Sequence, residues 1–330
     1  MPPAPGPDRV ALYLQDKHPI RDGMRYAQMA ESCGFEAVWQ AESRLVREAT
    51  VPMAAFAAVT ERITVGVGVM PVVFRNPVAT AMEIATLARL HPGRFVAGLG
   101  HGVPGWMEQV GALPAKPMRA LEETVSSVRR LLDGERFSLE GDHVSLRDVC
   151  LEHPPRVRPP VVLGVRRPLG LKVSGRSADG TILAEPSPPS YVQWARERIE
   201  EGRAAAGRTD PHRLTVFVKG RVDPDRTLAR EVLAGFVTKD SVAAQLAPLG
   251  RDAEFDELRL LGDPAVIASR IPDDLVDLLA AAGTPEQVVA SLRGVADIGV
   301  DAIAFVPVGP NPDEQLHLLA TEVAPAVRQR

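Results

Sequence analysis

Four side chains that could exchange a proton with a small molecule lie where predicted strands end. Glu42 and Ser43 follow one strand, His101 lies in a glycine-rich turn after another, and Glu185 ends a third. A carboxylate can act as a general acid or base, and an unperturbed imidazole titrates near neutral pH. We therefore predict that Glu42 and His101 take part in proton transfer. The alternative role for His101 is a hydrogen bond to the backbone of its own turn.

Two glycine-rich segments mark the expected position of a ligand. The first reads GVGVM over residues 66–70, and the second reads GLGHG over residues 98–102. Glycine lets a ligand approach the backbone closely; the alternative is that Gly66 and Gly68 only fit the narrow interior of a barrel. Residues 100–105 also match the dinucleotide-binding pattern GxGxxG. We reject that site because the segment follows the fourth predicted strand and Pro104 interrupts it.

The elements that position these residues alternate between strand and helix. Short apolar runs with β-branched residues predict strands that are buried on both faces. The best-marked helix begins at Asn76-Pro77 and ends at His91-Pro92-Gly93. Eight alternating units predict an α/β fold of the TIM (β/α)8 barrel type, with an open doubly wound sheet as the alternative. The predicted strands are 10–14, 35–40, 63–69, 94–100, 161–165, 181–185, 214–219 and 302–308.

Two segments interrupt this alternation. Residues 135–160 contain a β-hairpin signal around Glu140-Gly141-Asp142, followed by a proline-rich stretch. Residues 224–283 carry several helical patterns and no clear strand. We interpret them as a hairpin insertion after strand four and a helical insertion between strands seven and eight. No linker or repeat divides the chain, so we predict a single domain over residues 1–330, with a flexible tail at residues 1–8.

Composition restricts the partners of the chain. The net charge is −4, from 38 basic and 42 acidic residues, and no basic block favours nucleic acid. No apolar run is long enough to span a membrane, and the N-terminus lacks the pattern of a signal peptide. The two cysteines, Cys33 and Cys150, fit no disulfide or metal-binding pattern. We therefore expect a cytoplasmic protein that acts on a small-molecule substrate and holds no metal ion.

Taken together, the motifs resemble the luciferase-like superfamily of flavin and deazaflavin enzymes. GVGVMPVVFRNP at residues 66–77 and GRFVAGLGHG at residues 93–102 carry the strongest likeness. WQAESR at 39–44, PGWMEQVG at 104–111, LGVRRP at 163–168 and SADGTILAE at 177–185 extend it along the chain. The most similar branch uses coenzyme F420, a deazaflavin cofactor, and includes the methylene-tetrahydromethanopterin reductases.

The resemblance implies a barrel that holds the cofactor ring at the C-terminal ends of its strands. It implies a non-prolyl cis peptide at Gly68–Val69, beside Met70, that supports the ring. It also implies a phosphate site at the N-terminus of a helix, where arginine suits an anion; the alternative is a solvated pair of arginines. The residues implied for the phosphate site are Gly164, Val165, Arg166 and Arg167.

Further cofactor-binding residues follow from the same resemblance. They are Ser43, Gly100, His101, Gly102, Trp106 and Glu185. The alternative for Trp106 is a place in the core, and the alternative for Glu185 is a helix-capping role.

The resemblance also bears on the reaction. Sugar-phosphate dehydrogenases of this branch have an Asp-His pair where this chain has Glu42-Ser43. That difference favours transfer of hydride between reduced coenzyme F420 and a C=N or C=C bond. A monooxygenase that uses flavin mononucleotide (FMN) is the alternative on the same fold, and a barrel that binds a cofactor without catalysis is a second alternative. Because the superfamily commonly forms dimers, we expect a homodimer.

Overall fold

Eight parallel strands close into a barrel in the computed structural model, which describes residues 10–16, 18–43, 46–239 and 242–328. The predicted tail at residues 1–8 lies outside this range. Each strand pairs with the next, and β8 closes the barrel against β1, where Ile303 lies opposite Val10. The predicted TIM barrel is confirmed, and the open-sheet alternative is wrong. The barrel strands are β1 (Val10–Tyr13), β2 (Ala37–Gln40), β3 (Thr64–Val67), β4 (Phe95–Gly100), β5 (Val161–Gly164), β6 (Gly180–Leu183), β7 (Arg213–Val222) and β8 (Ala302–Pro307).

Helices surround the barrel and bury their apolar faces against it. The Asn76 side chain accepts a hydrogen bond from the Val78 N–H at 2.9 Å, and Pro77 occupies the first turn, so the third helix begins as predicted. Among the described residues, no helix has the length and apolar character that a membrane span requires. The first seven helices are α1 (Ile20–Ser32), α2 (Thr50–Ala58), α3 (Pro77–Leu90), α4 (Pro104–Gln109), α5 (Pro117–Leu132), α6 (Pro168–Ser177) and α7 (Pro189–Ala205).

Aliphatic side chains and the buried aromatic rings of Trp39 and Phe217 fill the interior of the barrel. Trp39 of β2 and Phe217 of β7 pack edge to face, with 5.7 Å between ring centroids. A Cβ atom on Gly66 would lie 2.5 Å from the Trp39 ring, and one on Gly68 would lie 2.9 Å from the Phe217 ring. These two glycines therefore make room for the aromatic rings. This agrees with the alternative given above, that Gly66 and Gly68 fit the narrow interior of the barrel. The other buried residues of this cluster are Ala11, Ala37, Val96, Val162, Ile182, Ala304 and Val306.

Two further units lie outside the barrel. Strands Phe137–Glu140 and Ser145–Val149 pair antiparallel between α5 and β5. The helices within residues 227–279, between β7 and β8, bury an apolar cluster of their own, separate from the barrel core. A short strand, Ala281–Gly283, pairs with the end of β7; we did not predict it because three small residues carry no strand pattern. The remaining α-helices of the described residues are α8 (Thr227–Val237), α9 (Ala243–Leu246), α10 (Asp252–Leu260), α11 (Pro264–Arg270), α12 (Asp273–Leu279), α13 (Pro285–Ala296), α14 (Pro312–Leu318) and α15 (Ala324–Arg328).

A chain of hydroxyl groups ends at His212, just before β7. The Ser174 hydroxyl donates to the carbonyl oxygen of Gly180, Thr181 Oγ1 lies 2.7 Å from Ser174 Oγ, and His212 Nε2 lies 2.8 Å from Thr181 Oγ1. This order of donors requires the neutral ring to carry its proton on Nε2. Nδ1 is buried and has no hydrogen-bond partner among the described residues. Burial, assisted by two nearby arginines, lowers the pKa of His212 to about 4.

Lowering the pH from 7 to 5 is expected to destabilise the fold through His212. The unfolded chain binds this proton near pH 6.5 and the folded protein only near pH 4, so the free energy of unfolding falls as the pH drops through this window. The expected loss at pH 5 is roughly 2 kcal/mol. Urea unfolding of His212→Gln, which cannot titrate, should show a smaller loss, whereas the exposed control His143→Gln should behave as the wild type. The same pH dependence in all three proteins would contradict this assignment.

Candidate active site

The end of β3 contains a β-bulge at the C-terminal mouth of the barrel. Its peptide bond Gly68–Val69 is cis, which confirms the position that the motif implied. Gly66 lies opposite Val96 of β4, and Met70, in the short strand Met70–Pro71, lies opposite Leu99. The chain moves four positions from Gly66 to Met70, whereas the neighbouring strand moves three positions from Val96 to Leu99. The bulge therefore contains one extra residue.

Two backbone hydrogen bonds join the bulge to the end of β2. The Gly68 N–H donates to the Gln40 carbonyl oxygen at 3.0 Å, and the Glu42 N–H donates to the Val69 carbonyl oxygen at 3.2 Å. Gln40 is itself fully buried, and its side-chain amide donates to the Leu14 carbonyl oxygen at 3.2 Å. The bulge therefore lies directly beside Glu42, the residue predicted to exchange a proton.

The Val69 side chain occupies a space that two glycines leave open. A Cβ atom on Gly164 would lie 2.6 Å from Val69 Cγ1, and one on Gly100 would lie 2.7 Å from Val69 Cγ2. Both distances are shorter than van der Waals contact, so a larger residue at either position would displace Val69. We expected the glycine-rich segment at residues 98–102 to admit a ligand. At its Gly100, and at Gly164 of β5, the group admitted is the Val69 side chain.

Glu42 forms a nearly buried ion pair with Arg75, which lies between the bulge and α3. Arg75 Nη1 lies 3.1 Å from Oε1 and 2.8 Å from Oε2 of Glu42, and Arg75 Nε lies 3.2 Å from Glu83 Oε2. Only 6% of the Glu42 side chain is exposed. Burial raises the pKa of Glu42 above its usual value, although the Arg75 charge opposes that shift. The carboxyl group of Glu42 can therefore keep a proton to a higher pH than an exposed glutamate.

His101 follows β4 in the turn that leads into α4. Burial lowers the pKa of the His101 ring below its usual value, so the ring is neutral at physiological pH. The next residue, Gly102, has a φ of +72°, and a Cβ atom there would lie 2.8 Å from Met107 Sδ. Trp106 lies in α4 and is partly exposed. A neutral imidazole at this position is suited to hydrogen bonding with a ligand rather than to charge pairing.

The N-terminus of α6 follows β5 and presents positive charge at the same end of the barrel. Arg166 and Arg167 come directly before the helix, and among the described residues neither guanidinium forms an ion pair. Among the side chains that the structure describes none caps α6, and the first turn of this helix contains no acidic residue, so the backbone N–H groups there are free to bind an anion. The loop itself is held because the Tyr191 hydroxyl donates to the Arg166 carbonyl oxygen at 3.0 Å. Gly164 and the buried Val165 complete this segment.

Glu185 follows β6 and forms an ion pair with Lys219 of β7. Lys219 Nζ lies 3.3 Å from Glu185 Oε1, and both side chains remain partly exposed, at 25% and 19%. Tyr13 of β1 lies beside the end of β2, where its hydroxyl accepts a hydrogen bond from the Ala41 N–H at 3.2 Å. Burial raises the Tyr13 pKa, and the Glu185 charge adds to this shift. Since the N-cap of α7 is Pro188, the helix-capping alternative for Glu185 is wrong.

Ser43 helps to form a short loop after β2. Its N–H donates to the Arg47 carbonyl oxygen at 3.0 Å, and its own carbonyl oxygen accepts from the N–H groups of Val46 and Arg47. These contacts involve the Ser43 backbone. The proposed cofactor-binding role of the Ser43 side chain stays a prediction.

The mouth thus gathers the residues that follow β2, β3, β4, β5 and β6. Three further side chains that contribute to the mouth, Tyr13, Arg75 and Lys219, were not predicted. Tyr13 ends β1, and Lys219 lies near the end of β7, so the rule that barrel sites form at the C-terminal ends of strands could have found both. Arg75 lies in a connecting segment, and no spacing rule links it to Glu42.

Gly164→Ala is expected to destabilise the fold by about 1–3 kcal/mol, because the added methyl group would overpack against Val69. Shortening Val69 should restore the space. The double variant Gly164→Ala, Val69→Ala should therefore be less destabilised than the two single changes added together. Gly105→Ala in α4 is a matched control, since no atom of the described residues lies within 4 Å of its Cβ position. Urea unfolding of the four variants measures these effects, and simple additivity would contradict the fit described here.

Arg75→Met is expected to raise the pKa of Glu42 by about one unit or more, because a nearby cation favours the carboxylate form. A pH titration followed by NMR of ¹³C-labelled glutamate would measure this pKa, with Glu42→Gln identifying the resonance. The control Arg89→Met removes an exposed arginine from α3 and should leave the titration unchanged. An unchanged or lowered Glu42 pKa in Arg75→Met would contradict the ion pair.

Comparison with known proteins agrees with this architecture. Residues 6–302 match the family described as "Luciferase-like monooxygenase". The chain is 26% identical over 316 residues to a 5,10-methylenetetrahydromethanopterin reductase of Archaeoglobus fulgidus, covering 92% of this chain and 95% of that protein. It is 27% identical over 323 residues to an F420-dependent glucose-6-phosphate dehydrogenase of Microbacterium testaceum, covering 92% of this chain and 93% of that protein.

The fold is also found among solved structures. The coenzyme F420-dependent tetrahydromethanopterin reductase of Methanopyrus kandleri superposes with a TM-score of 0.82 at 24% identity, covering 96% of this chain and 98% of that protein. The resemblance inferred from the sequence motifs is confirmed. The chain belongs to the luciferase-like monooxygenase family, and its named relatives include F420-dependent oxidoreductases.

Proposed function

We propose that this protein is an oxidoreductase that uses coenzyme F420 and transfers hydride between the reduced deazaflavin and a C=N or C=C bond of a small organic substrate. Relatives aligned with nine-tenths of the chain are named as a methylenetetrahydromethanopterin reductase and an F420-dependent dehydrogenase, which supports the choice of cofactor. The observation that carries the choice of reaction is Glu42, a nearly buried carboxyl group at the mouth of the barrel.

The donor set at the mouth fits such a cofactor. The free N–H groups at the N-terminus of α6, together with Arg166 and Arg167, would hold its phosphate. The bulge at Val69 and Met70 would lie against the ring. When bound, the cofactor supplies or accepts the hydride. The other residues proposed to line the site are Ser43, Gly68, Gly100, His101, Gly102, Trp106, Gly164, Val165 and Glu185.

Glu42 would exchange the proton that accompanies hydride transfer. Reduction of a C=N bond adds hydride to carbon and a proton to nitrogen, so a general acid must hold a proton near neutral pH. The raised pKa of Glu42 makes its carboxyl group a better proton donor at that pH than an ordinary glutamate. Neutral His101 would orient a ligand by hydrogen bonding and is the second candidate for proton exchange.

Coenzyme F420 is expected to bind with micromolar or tighter affinity, and more tightly than FMN, as measured by quenching of each cofactor's fluorescence. Arg167→Ala should weaken coenzyme F420 binding about tenfold or more, because a hydrogen bond between charged groups contributes roughly 1.5–3 kcal/mol. Arg62→Ala is the matched control, since Arg62 is exposed and lies before β3 at the opposite end of the barrel.

Each result of this titration has a distinct meaning. A preference for FMN would favour the monooxygenase alternative, and failure to bind either cofactor would contradict the site. Equal affinities in the Arg167→Ala and Arg62→Ala variants would contradict the phosphate-binding role alone. Oxidation of the reduced cofactor by a panel of C=N and C=C compounds, followed by absorbance, would then separate a reductase from a barrel that only binds the cofactor.

A further inference from the structure

The end of β6 is held by a glutamine from the helices between β7 and β8. The Gln245 side-chain amide of α9 donates to the Ala184 carbonyl oxygen at 2.6 Å and to the Pro186 carbonyl oxygen at 2.8 Å. These two carbonyl groups lie on either side of Glu185. Gln245 is fully buried, and its Oε1 has no partner among the described residues. An apolar side chain could fill the same space without an unpaired oxygen, so the two donated hydrogen bonds explain why a glutamine is suited to this position.

The Glu185 side chain is held by Lys219 of β7, which in turn contacts α8. Glu185 Oε1 lies 3.3 Å from Lys219 Nζ, and that ammonium group lies 5.1 Å from the centre of the Phe236 ring of α8. Phe217 faces the barrel interior two residues earlier on β7. Because side chains alternate along a strand, Lys219 lies on this inner side as well. The backbone around Glu185 and its carboxylate are thus both fixed by contacts that involve β7 and the helical segment that follows it.

We propose that Glu185 accepts a hydrogen bond from an N–H or O–H group of the bound cofactor, and that Gln245 and Lys219 are positioning residues that act through Glu185. This inference rests on the proposed function. Lys219 pairs with one carboxylate oxygen, no hydrogen bond from the described residues occupies Oε2, and both side chains of the pair are partly exposed. The helical segment between β7 and β8 would then influence ligand binding in the barrel through Gln245 and through the contact of Phe236 with Lys219.

A double-mutant cycle tests whether Gln245 acts through Glu185. The dissociation constant of oxidised coenzyme F420 is measured by fluorescence quenching for the wild type, Glu185→Ala, Gln245→Met and the double variant. We expect each single change to weaken binding about tenfold, which corresponds to about 1.4 kcal/mol. The double variant should bind within about twofold of Glu185→Ala, because Gln245 has nothing to position once the carboxylate is gone.

Gln315→Met is the matched control. Gln315 of α14 is also buried, and its side chain exchanges two hydrogen bonds with the backbone of Val222 rather than with the backbone around Glu185. The melting temperature of each variant is recorded without ligand. Gln315→Met should lower the melting temperature and leave the dissociation constant unchanged, whereas a purely structural role for Gln245 would give that same pattern in Gln245→Met and overturn the inference.

The remaining outcomes are equally decisive. If wild-type protein binds coenzyme F420 and Glu185→Ala binds it as tightly, the inference is wrong while the proposed function stands. If the wild type does not bind the cofactor, both fail. If Gln245→Met does not fold, Lys219→Met replaces it in the cycle, because Lys219 is partly exposed and its loss should again weaken binding only when Glu185 is present.

Discussion

Where β3 bulges, the Val69 side chain must fit between two neighbouring strands, and only glycine at positions 100 and 164 leaves space for it. This fit joins the ends of β3, β4 and β5. Two backbone hydrogen bonds from the same bulge reach the end of β2 and bring Glu42 into place. Four of the strand ends at the mouth, those of β2 to β5, are therefore packed together, and the position of the nearly buried Glu42 depends on an apolar contact.

Two carboxylates at the mouth form ion pairs, and in each pair the cation comes from a different part of the fold than the carboxylate. Glu42 follows β2 and pairs with Arg75 before α3, and Glu185 follows β6 and pairs with Lys219 of β7. Pairing offsets the cost of burying a charge and fixes the side chain in one orientation. At Glu42 the effect of burial on the pKa is larger than the opposing effect of the Arg75 charge, so the pKa of Glu42 stays raised. The same ion pair can thus position the acid and leave it able to exchange a proton.

Much of the fold could be predicted from local patterns, whereas the contacts of the site could not. Apolar runs and helix-start residues such as Asn76 predict the alternation of strands and helices, and the motif around Gly68 and Val69 locates the cis bond. The ion pair of Glu42 with Arg75 and the contact of Gln245 with the end of β6 join residues that are 33 and about 60 positions apart. Such contacts depend on how the loops cross the barrel mouth, which no residue spacing encodes. Glycine's role at positions 100 and 164 depends in the same way on a neighbouring strand.

The most direct test of this account is a crystal structure of the protein with oxidised coenzyme F420. We expect the deazaflavin ring to contact Val69 at the bulge and the phosphate to contact Arg167 and the N–H groups at the start of α6, with the substrate side of the ring open toward Glu42. A ring bound away from the bulge, or a phosphate held elsewhere, would contradict the assignment of the barrel mouth as the cofactor site.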